Sequence, residues 1–156
     1  MRYLGLDCSS LAIHGVIIDE NEELITMEKW GSKKRTFEER FPEISVGFFN
    51  DLSKINITDR ASIEAAIFIQ NPKTTIAIAH VVGAVWGALL QKGVDAIRVD
   101  NKQWKKGVLG KGNASKQDIT KFAIDKWGDI FPEQDYADAA CIALWNKRRF
   151  EQWLED

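Results

Sequence analysis

Residues 4–19 read LGLDCSSLAIHGVIID, and this stretch decides the fold of the chain more than any other. Its first half belongs to an apolar run over residues 2–8 (RYLGLDC), which predicts a buried strand with a carboxylate near its end. Residues 12–19 predict a second strand, and residues 24–30 predict a third after a turn at Asn21-Glu22. Two successive hairpins predict a three-stranded antiparallel meander.

The remainder of the chain alternates between helical and strand patterns. The predicted elements are a helix over 36–53, a strand over 62–69, a helix over 73–91, a strand over 94–99, a Gly/Lys loop over 105–113, a helix capped at 113–115 that runs to about Trp127, and a last helix over 135–153. The order βββ-α-β-α-β-α-α predicts an α/β fold with one mixed five-stranded sheet and helices on both faces.

Length and composition predict one globular domain over residues 1–156, since 45% of the residues are hydrophobic. Cys8 and Cys141 lie far apart and outside any C-x-x-C spacing, which fits a reducing cytosol better than a disulfide framework or a zinc site. The start of the chain does not read as a signal peptide, and the apolar stretch over 75–90 is too short and mixed for a membrane span. We therefore expect a cytoplasmic protein with no membrane partner.

The charge of the chain is unevenly distributed along the sequence. The formal net charge of −2 argues weakly against a nucleic-acid partner. Residues 98–126, however, carry a surplus of five positive charges, which permits phosphate binding along a basic stripe. The alternative is a solvated helical face with spare lysines, and charge alone leaves both interpretations open.

Four acidic residues stand at positions where a carboxylate is unusual. Asp7 ends an apolar strand, Glu64 interrupts another, and Asp135 and Asp138 lie three apart on one helix face. Taken singly, Asp7 also reads as a strand-end cap, and the helix acids as favourable charges at a helix N-terminus. A buried Glu64 needs a partner or a metal ion. Together the four acids match two-metal phosphodiester hydrolysis, because hard cations such as Mg²⁺ prefer oxygen ligands.

Three motifs of the chain, LGLDCSSLAIHGVIID, SIEAAIF and DYADAACIAL, occur in the order and at the separations of a known family. With Lys105 and Lys116 around GVLGKGNAS, they resemble the RuvC family of Holliday-junction resolvases in the ribonuclease-H-like superfamily. The resemblance covers most of the chain. The chain is compact, and in this it resembles phage-encoded members of the family.

This resemblance implies a ribonuclease-H-like fold and a metal-dependent crossover junction endodeoxyribonuclease that cleaves Holliday junctions and other branched DNA. It implies that Asp7, Glu64, Asp135 and Asp138 bind two Mg²⁺ ions, for which Mn²⁺ substitutes, and that cleavage leaves a 5′-phosphate. Lys116 would then stabilise charge at the phosphate. It also implies a homodimer in the cytoplasm of a bacterium or a phage-infected cell. The 73–91 helix is either a dimer element or a fully buried core helix.

The resemblance and the basic stripe together give an expected set of DNA contacts. They are the lysines of the basic segment and two aromatic residues, namely Lys102, Lys105, Lys106, Lys111, Lys116, Phe68 and Trp104. Some family members carry an aromatic residue three positions after the strand glutamate. Here that position is Ile67, and Phe68 comes one residue later, which predicts that it faces the opposite side of the strand. Trp104 is expected to stack on a base.

Three other functions fit parts of the pattern. A sugar kinase or actin-like ATPase shares the Gly-x-Asp strand, but it needs a second domain and a second Gly-rich motif that this sequence lacks. A catalytically inactive branched-DNA-binding or scaffold protein of the same fold is opposed by the presence of all four acids. An RNA-directed ribonuclease-H-like nuclease shares the metal chemistry, so only substrate tests separate it.

Overall fold

The computed structural model describes residues 1–53, 58–65 and 70–156. Ten helices and strands are assigned in these ranges, in the order β1 (Arg2–Cys8), β2 (Ala12–Asp19), β3 (Leu24–Gly31), α1 (Phe37–Asp51), β4 (Arg60–Glu64), α2 (Pro72–Gln91), β5 (Asp95–Val99), α3 (Asn101–Leu109), α4 (Lys116–Trp127) and α5 (Gln134–Glu155).

The five strands form one mixed sheet with the order β3-β2-β1-β4-β5. The first three strands are antiparallel neighbours, which confirms the predicted meander, whereas β1 pairs with β4 and β4 with β5 in parallel. Leu6 of β1 is the register partner of Ile63 of β4. The acids that follow these two residues, Asp7 and Glu64, therefore leave adjacent parallel strands at the same edge of the sheet.

Both faces of the sheet are covered by helices, because side chains alternate along each strand. Leu4 and Leu6 of β1 belong to a core that includes residues of α1 and α2. Tyr3 and Val16 belong to the opposite core, formed with α3, α4 and α5. The mixed five-stranded sheet with helices on both faces is thus confirmed.

Helix α5 crosses β1 at very short range, and Gly5 makes this possible. A Cβ atom at Gly5 would lie 1.9 Å from the carbonyl oxygen of Ala139 and 2.5 Å from the nitrogen of Ala143. Ser62 of β4 also donates a hydrogen bond of 3.0 Å to the carbonyl of Ile142. This contact fixes α5, and with it the acids of its first two turns, above the centre of the sheet.

Two predicted elements differ from the structure. The prediction of a loop over 105–113 is wrong for residues 105–109, because residues 101–109 form α3, which ends at Gly110 with a φ of 83°. It is confirmed for residues 110–113. Trp104 and Val108 are buried one turn apart and supply the packing that holds this helix. Strand β4 begins at Arg60 rather than residue 62, and the predicted continuation over 66–69 lies outside the described residues.

Helix α2 has one buried and one exposed apolar face. Val81, Val85 and Leu89 are buried in the core, whereas Ile76 and Leu90 are 56% and 51% exposed. The alternative of a fully buried core helix is therefore wrong. The expectation that the 75–90 stretch is too short and mixed for a membrane span is wrong, because α2 is long and apolar enough by length and composition alone, as core helices of soluble proteins also can be.

Candidate metal centre

Asp7 lies at the carboxyl end of β1, on the face covered by α5. Burial raises the pKa of Asp7 well above its ordinary value, and the nearby carboxylates of Glu64, Asp138 and Asp135 raise it further. An acid with such neighbours is costly in its charged form unless a cation joins the group.

Asp135 and Asp138 extend from the first turns of α5 toward Asp7. Each of the three residues offers a carboxylate oxygen, and these oxygens lie within 4.8 Å of one another. Burial raises the pKa of Asp138 to about 6 against the opposing hydrogen bond from Gln134, and the charges of Glu64 and Asp135 add to the increase. The Gln134 amide donates this bond to Asp138 Oδ1 over 3.0 Å.

Glu64 lies beside these three carboxylates at the end of β4, although it is not part of the group whose oxygens lie within 4.8 Å of one another. Its Oε2 atom accepts hydrogen bonds from the indole Nε1 of Trp104 at 2.6 Å and from the amide Nδ2 of Asn101 at 3.2 Å. Trp104 is fully buried. The prediction that Trp104 stacks on a DNA base is therefore wrong, and its indole faces a candidate metal ligand instead.

The predicted basic DNA contacts lie on α3, the following loop and the start of α4. Lys105 lies close enough to lower the pKa of Asp138, and its ammonium group is 5.7 Å from the centre of the Trp104 ring. Lys102, Lys106 and Lys116 are exposed. Lys111 is also exposed, but it forms an ion pair of 3.0 Å with Asp118. Phe68 lies outside the described residues.

A set of hydrogen-bonded side chains that was not predicted from the sequence lies next to Asp135. His14, the register partner of Asp7 on β2, is buried, and its Nε2 lies 2.8 Å from Glu133 Oε2. Lys29 of β3 donates to the other oxygen of Glu133 over 2.8 Å. His14 Nε2 is also 3.9 Å from Asp135. The only sequence signal was a histidine within an apolar strand, which is compatible with many structural roles.

A second basic segment was also missed. Lys33, Lys34 and Arg35 are exposed in the β3–α1 connection. Arg40 ties this segment to the β1–β2 turn, because its guanidinium donates to the carbonyls of Ser10, Lys34 and Arg35. These cations therefore lie near the sheet edge where Asp7 ends its strand.

The donor set fits a hard divalent cation. Every candidate ligand in the group of Asp7, Asp135 and Asp138 is a carboxylate oxygen, the donor that Mg²⁺ and Mn²⁺ accept. Burial raises the pKa values of Asp7 and Asp138, and repulsion from the neighbouring acids raises them further. A bound cation would relieve this repulsion.

Comparison with known proteins assigns the chain to a protein family. The family model described as crossover junction endodeoxyribonuclease RuvC matches residues 4–145. The chain belongs to the RuvC family. This RuvC chain is 28% identical over 155 residues to the crossover junction endodeoxyribonuclease RuvC of Aliarcobacter butzleri, with 96% of this chain and 99% of the relative covered. It is 30% identical over 150 residues to the protein of the same name from Campylobacter curvus, with 92% and 94% covered.

Solved structures agree with this assignment at the level of the fold. T. thermophilus RuvC in complex with Holliday junction substrate superposes on this RuvC chain with a TM-score of 0.80 at 20% identity, covering 99% of this chain and 96% of the other. The yeast mitochondrial Holliday junction resolvase Ydc2 gives a TM-score of 0.59 at 16% identity, with 98% and 82% covered. The expected family and its ribonuclease-H-like fold are both confirmed.

Proposed function

We propose that this protein is a metal-dependent crossover junction endodeoxyribonuclease that cleaves Holliday junctions. The observation that carries the proposal is the convergence of Asp7, Asp135 and Asp138 within 4.8 Å, in a chain that matches the RuvC model over residues 4–145. Relatives that bear this name match it over nearly their full length.

The acids at the carboxyl ends of β1 and β4 and on α5 would hold the metal, which we propose to be two Mg²⁺ ions, with Mn²⁺ able to replace them. A bound pair of divalent cations supplies Lewis-acid activation and charge stabilisation for phosphodiester hydrolysis. Asp7, Asp135 and Asp138 bring the closest oxygens, and Glu64 completes the set from the neighbouring strand.

The lysines would offset the charge of the DNA backbone. Lys105 is already close to Asp138, so it can contact a phosphate that approaches the acids. Lys116 is exposed at the first position of α4, and we propose that it stabilises charge at the scissile phosphate. Lys102 and Lys106 extend the same basic surface along α3.

We also infer a homodimer formed through the exposed face of α2. Ile76, Gly83, Gly87 and Leu90 lie along one exposed stripe of this helix. A Cβ atom at Gly83 or Gly87 would meet nothing within 4 Å, so both glycines leave room for another helix to approach. Two copies of the chain would present two metal centres, one for each strand cut at a junction.

The deciding experiment incubates the purified protein with a labelled four-way junction or a matched linear duplex, in Mg²⁺ or in EDTA. Paired nicks near the branch point, dependent on metal and on the junction, are expected. Equal cutting of forks, flaps and junctions would keep the nuclease but broaden its substrate to branched DNA. Binding without cleavage in Mg²⁺ or Mn²⁺ would contradict the proposal and favour a DNA-binding scaffold, and cutting of RNA–DNA hybrids alone would favour a ribonuclease.

A further inference from the structure

Glu64 is the only acid of the proposed site whose carboxylate is held by donors from α3 in the described structure. Both bonds, from Trp104 Nε1 at 2.6 Å and Asn101 Nδ2 at 3.2 Å, end on the same oxygen, Oε2. Within the described residues, the hydrogen bonds to Glu64 thus use one carboxylate oxygen and leave Oε1 for a ligand.

The indole donor is itself rigid. Trp104 is fully buried in the core formed with α4 and α5, so its ring has no room to rotate. Helix α3 begins directly after β5, and Trp104 N donates to the carbonyl of Asp100 over 3.1 Å. Next to Glu64, Ala65 N donates to the carbonyl of Val99 over 2.8 Å. Donor and acceptor are therefore both anchored to the same pair of parallel strands.

The chemistry of the donors suits this task. An indole N–H donates and never accepts a hydrogen bond, and it does not titrate near neutral pH, so it is a constant donor to the carboxylate oxygen. A glutamate side chain has several rotatable bonds, and the neighbouring Asp7 and Asp138 are close enough that Glu64 raises their pKa values. Without fixed donors, this repulsion would turn Glu64 away from the other acids.

We propose that Trp104 and Asn101 are positioning residues that fix Glu64 Oε2, so that Oε1 is preorganised for the divalent cation. This inference rests on the proposed function. Hydrogen bonds that orient a metal ligand typically change metal affinity by about 10–100-fold when they are removed. The effect acts through Glu64, because neither Trp104 nor Asn101 is expected to touch the metal ion or the DNA.

The test measures Mn²⁺ binding to the full chain by calorimetry and compares wild type with Trp104→Phe, which removes the N–H and keeps an aromatic ring. The dissociation constant is expected to rise by about tenfold or more. The Mn²⁺ concentration for half-maximal cleavage should rise in parallel, while the rate at saturating Mn²⁺ stays within a few-fold of wild type. This split separates loss of positioning from general damage to the fold.

Trp127→Phe is the matched control. Its indole Nε1 also donates a short hydrogen bond, 2.8 Å to the carbonyl of Glu22, but this carbonyl lies in the β2–β3 turn at the other end of the sheet. We expect it to leave Mn²⁺ affinity within twofold of wild type. Asn101→Leu removes the second donor at a partly exposed position, so it tests the inference even if Trp104→Phe fails to fold. We expect it to weaken Mn²⁺ binding severalfold.

The outcomes separate this inference from the proposed function. If wild type binds Mn²⁺ and cleaves, and the folded Trp104→Phe and Asn101→Leu variants bind Mn²⁺ equally well, the positioning role is wrong and the nuclease remains. If Trp127→Phe weakens Mn²⁺ binding as much as Trp104→Phe does, the effect is structural and the inference is also wrong. A wild-type chain that binds no Mn²⁺ would overturn the proposed function, and this inference with it.

Discussion

The two ends of helix α5 handle charge in opposite ways. Its first turns bring Asp135 and Asp138 to Asp7, so carboxylates face carboxylates. Its later turns bring Lys147 and Arg148 to the single carboxylate of Glu22, where Lys126 of α4 joins them. Helix α5 therefore contributes residues to a repulsive cluster of acids near its start and to an attractive cluster around Glu22 further along the helix.

The pKa values show what this difference does. Burial acts to raise the pKa of Glu22, but hydrogen bonds from Arg148 and Lys126 outweigh it and lower the pKa to about 2. At the other end, burial raises the pKa of Asp138 to about 6. The Glu22 cluster stabilises the folded chain, whereas the acid cluster costs stability that a bound cation can return.

The largest expected effect is that of Asp7→Asn. If Asp7 is a metal ligand, this change should lower the cleavage rate by at least about a thousandfold, roughly 4 kcal/mol in activation free energy. It also removes one of the like charges, so the metal-free variant should unfold at the same temperature as wild type or higher.

Cleavage assays on a four-way junction and thermal unfolding in EDTA check the two parts, with junction binding as the control for folding. If the metal-free variant unfolds at a temperature well below that of wild type, the Asp7 carboxylate is stabilising. The contrast between the repulsive acid cluster and the attractive Glu22 cluster would then be wrong.

The next effect concerns the close contact between α5 and β1 at Gly5, which holds both clusters in place. Gly5→Ala should destabilise the fold by roughly 3 kcal/mol or more, because the added methyl group would overlap backbone atoms of Ala139 and Ala143. Gly47→Ala in α1 is the control, since its Cβ would meet only Trp30 at 3.8 Å. We expect the control to be neutral or stabilising by about 0.5–1 kcal/mol. Urea unfolding of both variants measures the difference, and equal stabilities would contradict the close approach.

Mg²⁺ should stabilise the chain by binding the acid cluster at the start of α5, and not through the Glu22 cluster. At about a hundredfold excess over the dissociation constant, a cation that binds only the folded state adds about 2.7 kcal/mol. Thermal unfolding with and without Mg²⁺ measures this gain. We expect Asp7→Asn to lose it and Glu22→Gln to keep it. A gain retained in Asp7→Asn would place the cation elsewhere.

The smallest effect is the pH dependence of the Glu22 cluster. Since the folded-state pKa of about 2 lies below the ordinary value of 4.5, the stabilisation is complete above that value and is lost as the pH falls toward 2. Glu22→Gln should cost about 1–2 kcal/mol at neutral pH after allowance for solvent screening. The difference from wild type should shrink as the pH falls, in denaturant titrations across that range. A constant difference from neutral pH to pH 2 would rule out the ionic contribution.

Much of this architecture could be predicted from local sequence patterns. The apolar runs over residues 2–8 and 12–19 predicted the meander, and Asp7 and the DYAD segment marked the three acids that converge, with Glu64 beside them. Helix α3 was missed because Lys105, Gly107 and Gly110 read as loop residues. Gly107 is in fact packed against the Trp145 ring, a long-range contact that no local pattern reports.

The hydrogen bond from Trp104 to Glu64 could not be predicted for the same reason. A tryptophan among lysines is a reasonable candidate for base stacking, and only the docking of α3 on α5 buries its ring. Likewise, His14 and Glu133 are far apart in sequence, so their bond depends on where α5 begins.

The packing of α5 on β1 also sets when the protein can become active during its synthesis. Asp7 is made with the first strand of this fold, whereas Asp135 and Asp138 belong to its last helix. A nascent chain can therefore form its hairpins long before it has a complete set of acids. Contacts between such distant parts of a chain form late in folding. The cluster of acids would thus be completed only after α5 has been made, so a product that stops before α5 carries the strands without Asp135 and Asp138.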